Sequence, residues 1–141
     1  MMVNPSQTAP LGGRSATYWA GWVMSGLVIA FMLMDATMKL LALPVVLEAS
    51  GELGFHGAAM ARGLGVVLLI CTLLYAAPQT AVLGAVLLTG YLGGAVATHV
   101  RAESPLFTHV LFGVYLGALA WGGLYLRDAR LRALFPFRAR A

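Results

Sequence analysis

Charge is scarce in this chain. Only 10% of its 141 residues are Asp, Glu, Lys or Arg, against 60% hydrophobic. A soluble domain carries about 25% charged residues to cover its surface, so an ordinary water-solvated exterior is excluded. Cysteine is almost missing too. Cys71 stands alone, which rules out an intrachain disulfide, and inside an apolar run its thiol serves as a small hydrophobe. Motifs that fix a reaction are lacking: no nucleophilic triad pattern, no phosphate-cradling glycine loop, no G-x-G-x-x-G, and no H-x-x-x-H or His–Glu pair at metal-ligand spacing. Gly63-Leu64-Gly65 is only a fragment inside a helical run.

What fills the chain is apolar sequence in four runs, 18–41, 57–77, 81–100 and 106–126. A helix rising about 1.5 Å per residue needs about 20 residues to cross a ~30 Å hydrocarbon core, and each run has that length. Mean hydropathy is +0.85. The expected fold class is all-α, an integral membrane four-helix antiparallel bundle. Its expected organisation is a polar N-terminal tail over 1–15, a four-span membrane domain over 16–127 and a basic C-terminal tail over 128–141. The first run exceeds the roughly 7–15 residues of a signal h-region and no A-x-A site closes it, so it reads as a retained span.

The net charge of +4 has one location. Arg127, Arg130, Arg132, Arg138 and Arg140 follow the fourth run with only Asp128 against them. Elsewhere Arg14, Lys39, Arg62 and Arg101 balance Asp35, Glu48, Glu52 and Glu103. A basic cluster beside a span stays in the cytoplasm and meets anionic lipid, and an even number of spans puts both termini there. No aromatic platform accompanies these arginines, so the expected partner is the lipid bilayer and not nucleic acid. The second and third runs are joined by Ala77-Pro78-Gln79-Thr80, which predicts adjacent antiparallel helices, Pro78 stopping one and Thr80 capping the next. Residues 42–56 and 101–105 read as outward loops, with Ser104 or Pro105 starting the fourth helix. Small residues four apart at Gly26/Ala30, Ala61/Gly65, Gly90/Gly94 and Gly113/Gly117 predict close helix packing within a bundle or a homo-oligomer. Trp19, Trp22 and Trp121 read as interfacial anchors near the inner ends.

The outer ends of the runs gather the remaining polar residues. Asp35 and Lys39 are i,i+4 with the acid first, the better order for an ion pair. Counted from residue 18, Asp35 lies about 25 Å along the first helix. Arg62 opens the second helix, His99 and Arg101 close the third, His109 opens the fourth, and Tyr91 lies two turns below His99. Ionisable groups inside spans are costly and face a bundle interior or a water-filled cavity. Asp35, Lys39, Arg62, Tyr91, His99 and His109 are therefore the candidate ligand-binding cluster, suited to a small polar or quinone-like molecule or to proton passage through Asp35 and His99. The plainer reading pairs Asp35 with Lys39 alone and leaves the histidines at the water interface. His99 and His109 are able to face each other across a short loop, but no ligand spacing supports a metal, and none is expected. Met24, Met32, Met34 and Met38 read as packing material.

From about residue 18 to 136 the chain resembles the DoxX-like family of small bacterial four-helix membrane proteins. The stretch Leu87-Leu88-Thr89-Gly90-Tyr91-Leu92-Gly93-Gly94-Ala95-Val96-Ala97-Thr98-His99-Val100-Arg101 carries most of the likeness. Pro105-Leu106-Phe107, Trp121-Gly122-Gly123-Leu124-Tyr125-Leu126-Arg127-Asp128, Asp35-x-x-x-Lys39-Leu40 and Leu53-Gly54-Phe55 add to it. The family often has arginine where this chain has Gln79. The resemblance implies an inner-membrane accessory subunit or small-ligand or quinone binder in membrane redox or stress response, with a membrane redox partner. Two alternatives stand beside it: a membrane enzyme acting on a lipophilic substrate at the outer polar cluster, and a structural scaffold without chemistry. No cofactor follows from the residues themselves; quinone enters through the resemblance, which supplies no catalytic residues.

Overall fold

In hydrocarbon every backbone N–H and C=O must be satisfied internally, which favours unbroken helix. The computed structural model describes residues 14–134. These form α1 (Ala16–Leu40), α2 (Pro44–Glu52), α3 (Ala58–Ala76), α4 (Ala81–Arg101), a π-helical turn (Leu106–Val110), α5 (Phe112–Arg127) and α6 (Ala129–Leu134), with no strand among the described residues. Four helical segments are long and apolar enough to span a membrane: α1, α3, α4 and the continuous stretch Leu106–Arg127. The chain is an all-α membrane bundle. Helix α1 packs on α3 and α5, and α4 packs on the same two, so α1 and α4 stand diagonally across the bundle.

Local chemistry sets the ends of these elements. The Ser15 hydroxyl accepts from the Tyr18 N–H at 3.4 Å and caps α1. Pro44 occupies the first turn of α2, where its missing N–H costs nothing. That helix corrects the expected loop over 42–56: nine of those residues are helical. Gly54 and Gly57 then turn the chain toward α3 with φ of +87° and +89°. The Thr80 expectation also needs correction. Its side chain does not cap α4; the hydroxyl donates back to the Leu74 carbonyl at 2.8 Å and closes the turn from the α3 side. Past the fourth span, Asp128 accepts from the N–H groups of Arg130 and Leu131 and starts α6. Arg138, Arg140 and residues 1–13 lie outside the described residues.

The end of the bundle beside the Pro78 turn is tightly packed. Tyr75 is fully buried. Its hydroxyl lies 2.7 Å from the Ala120 carbonyl, which can only accept, and 3.0 Å from the Ser25 hydroxyl. The single phenolic proton goes to Ala120, so Ser25 must donate to Tyr75. One side chain of α3 thereby ties α5 and α1 together. Helix α4 reaches this junction through Gly84: a Cβ there would overlap the Tyr75 backbone and stand 2.6 Å from the Leu74 carbonyl carbon. Helices α1 and α5 cross on Gly21 and Gly123; a Cβ at Gly123 would stand 2.6 Å from the Ser25 hydroxyl.

The expected small-residue pairs divide on inspection. Gly65 meets Ala36 and Leu40 of α1, and Gly113 meets Leu92 of α4, with a would-be Cβ 3.0–3.2 Å from backbone or Cβ atoms. Gly26 and Ala30 are exposed. Gly90 and Gly94 have open space where a side chain would stand. Trp121 is no simple interfacial anchor either: its indole N–H donates to the Thr89 hydroxyl at 2.8 Å and joins α5 to α4.

Tyr75→Phe leaves the Ala120 carbonyl and Ser25 hydroxyl without this partner, at a cost of about 1–3 kcal/mol; a lowered Tm in detergent is expected. Gly84→Ala should lower Tm and folded yield far more than Gly90→Ala, because only the former meets backbone. Equal losses would contradict the packing described.

Candidate ligand-binding cavity

At the opposite end the helices do not close. A cavity of about 820 Å³ lies between α1, α4 and the start of the fourth span, covered by α2. Each helix contributes one face. Phe31, Asp35, Met38 and Lys39 recur at the three- and four-residue spacing that returns to one side of α1. Tyr91, Ala95, Thr98 and His99 do the same on α4, and His109, Phe112, Gly113 and Leu116 on the fourth span. The π-helical turn sets that last register. Val110 and Leu111 donate to Pro105 and Leu106, five residues back, at 3.2 and 2.9 Å, and this wider turn leads into α5 with His109 on the cavity side.

Five of the six candidate residues come together here. Asp35, Lys39, Tyr91, His99 and His109 all line the cavity. The Lys39 ammonium and Asp35 carboxylate form an ion pair along α1, with side-chain exposures of 16% and 30%, so the pair is partly shielded and still faces the void. His99 and His109 stand with ring centroids 5.6 Å apart. Nδ1 of His99 shares a hydrogen with the Ser104 hydroxyl at 3.0 Å, and Nδ1 of His109 with the Thr108 hydroxyl at 2.8 Å. Among the described residues no group of three or more His, Cys, Asp or Glu is placed to hold a metal ion.

Arg62 is not brought into this cluster. It lies outside the cavity lining and its Nε donates to the Leu40 carbonyl at 3.3 Å, covering the C-terminal end of α1. Arg101 plays a similar part for the end of α2, donating to the Leu53 carbonyl at 2.9 Å.

The cavity lining is polar toward the end covered by α2 and apolar toward the middle of the bundle. Glu52, Ser104 and both histidines stand at the α2 end, and the Asp35–Lys39 pair just below. Phe31, Met32, Leu92 and Leu116 line the deeper part, where Tyr91 brings a hydroxyl. The Phe31 and Phe112 rings meet edge to face at 5.2 Å and close the wall between α1 and α5.

Several lining residues escaped sequence reasoning. Glu52, Val46 and Ala49 reach the cavity because α2 is a helix; Pro44 ahead of apolar residues at 45, 46 and 49 was the available signal. From spacing, Ser104 signals only a helix start. Gly90 and Gly94, whose spacing predicts a packing face, form part of the cavity wall. No feature of sequence separates a glycine against a helix from a glycine against a void.

Removing one member of the ion pair leaves the other partly shielded and alone. Asp35→Asn should cost about 1–3 kcal/mol, between the values for exposed and buried pairs. Lys39→Met combined with it should recover most of the loss in a double-mutant thermal-melt cycle; additive losses would show that the pair has no coupling.

The model for the family described as DoxX-like matches residues 23–123, a stretch that includes every residue lining the cavity. No curated protein and no solved structure matches the chain. The matched stretch runs from the second turn of α1 to near the end of α5, and on this ground the chain belongs to the DoxX-like family.

Proposed function

We propose that the protein binds a small lipophilic molecule with a polar head, of the quinone class, as an accessory component of membrane redox or stress chemistry. The carrying observation is the amphipathic cavity of about 820 Å³, within the size range of small-molecule sites. Its depth suits an apolar ring or chain against Phe31, Met32, Leu92 and Leu116. Its α2 end offers donors and acceptors from Lys39, Asp35, His99 and His109 to carbonyl or hydroxyl oxygens. Tyr91 offers a further hydroxyl among the apolar lining. A bound quinone would supply two-electron, two-proton redox chemistry. The residues of the chain orient the head, exclude lipid tails from it and offer protonatable nitrogens at His99 and His109.

We place the protein in a bacterial inner membrane with both termini in the cytoplasm. Arg127 ends the fourth span and Arg130 and Arg132 follow it, all on the side of the Pro78 turn, which supports this orientation by the positive-inside tendency. The polar, α2-covered end of the cavity then lies on the periplasmic side.

Equilibrium binding of a short-chain ubiquinone analogue to the purified protein in lipid nanodiscs tests the reading. Gly94→Leu puts bulk where the structure has room and no neighbour, so the fold should survive and affinity should fall at least about tenfold. Gly26→Leu, on an exposed face away from the cavity, should leave binding unchanged. No saturable binding to the parent protein, or equal binding by the Gly94 variant, would refute the site.

A further inference from the structure

The tightly packed end carries a second recess, of about 360 Å³, lined by Tyr18, Trp22, Gln79, Leu124, Arg127 and Arg130 among others. Arg127 is held there in an unusual way. One terminal nitrogen donates to the Tyr75 carbonyl at 3.1 Å. The guanidinium carbon lies 4.3 Å from the Trp22 ring centroid and 5.1 Å from that of Tyr75. Its Nε is buried and has no hydrogen-bond partner. No carboxylate stands within ion-pair distance of it: Asp35–Lys39 is the one ion pair among the described residues. Asp128 shares the recess, but its Oδ1 is taken by the N–H groups of Arg130 and Leu131. Arg132 is spent on the carbonyls of Tyr125 and Leu126. Arg14 adds a further cation at this end, 5.0 Å from the Tyr18 ring centroid.

Two guanidinium groups against the single carboxylate of Asp128 leave this aromatic-walled recess net positive, which suits an oxyanion. A planar guanidinium matches phosphate geometry with parallel N–H donors. The depth narrows the source: Tyr18 and Trp22 lie in the first two turns of a spanning helix, where amphipathic rings sit at headgroup level. Basic pockets between spanning helices at this level recognise anionic headgroups. We propose that this recess binds the phosphate of an anionic phospholipid, held by Arg127 and Arg130 beside Trp22 and Tyr18. The site is independent of the quinone-class reading, since it lies at the other end of the bundle.

The test uses the full chain purified in a neutral detergent. Phosphatidylglycerol, phosphatidylcholine and inorganic phosphate are added separately, with native mass spectrometry and thermal melting as readouts. Phosphatidylglycerol should be retained and raise Tm; phosphatidylcholine should do neither. Arg130→Gln, at an exposed position, should keep the fold and weaken retention about fivefold, the effect of one arginine near an anionic surface. Arg127→Lys should weaken it as well, because an ammonium loses the planar fork. Equal effects of the two lipids, or undiminished retention by Arg130→Gln, would overturn the proposal. A Tm rise with inorganic phosphate matching that with phosphatidylglycerol would overturn the lipid assignment in favour of a free-phosphate site.

Discussion

The bundle depends on one junction, where the Tyr75 side chain of α3 is buried and its backbone lies directly against Gly84 of α4. The phenol cannot remain there unpaired, since an unsatisfied hydroxyl in an apolar interior costs a few kcal/mol. It therefore fixes the Ala120 carbonyl on one side and the Ser25 hydroxyl on the other. Three helices are set by one oxygen, and the fourth by the missing side chain at Gly84. Lipid offers helices little hydrophobic reason to associate, so close packing and buried hydrogen bonds must define the arrangement. Both are concentrated here.

That concentration explains the opposite end. With the helices pinned near the Pro78 turn, the halves of α1 and α4 away from that turn are free to stand apart across the bundle, and Gly90 and Gly94 meet no neighbour. The void does not collapse because the contacts at this end run around the rim: Gly65 on α1, Gly113 on α4 and the Phe31–Phe112 edge contact. Polar groups whose burial would be costly in a packed core find a tolerable setting along this opening. The same division of labour places Arg127 and Arg130 at the closed end, in a smaller recess with a net positive lining.

Sequence alone discloses much of this architecture, because hydrocarbon thickness translates directly into run length and because few residues are charged. Asp35, Lys39, Tyr91, His99 and His109 converge as helix periodicity and alternating span direction require. Arg62 does not, since a long side chain at a helix end chooses between a cavity and a neighbouring carbonyl by geometry that spacing does not carry. The covering helix α2 was hidden by its shortness and its glycine-containing end. The π-helical turn that presents His109 leaves no mark in hydropathy. Tyr75 is the only aromatic residue of its apolar run, 57–77, but its importance lies in contacts 45 and 50 residues away along the chain, which spacing within the run does not carry.

Thiol accessibility measures the asymmetry most directly. In a Cys71→Ala background, single cysteines at Gly94 and Thr98 report on the cavity wall, and cysteines at Ala85 and Ala120 on the packed junction. With the protein in proteoliposomes, a small charged methanethiosulfonate reagent should modify the first two quickly and leave the second two protected. Comparable reactivity at all four positions, or protection at Gly94 and Thr98, would contradict a bundle closed at one end and open at the other.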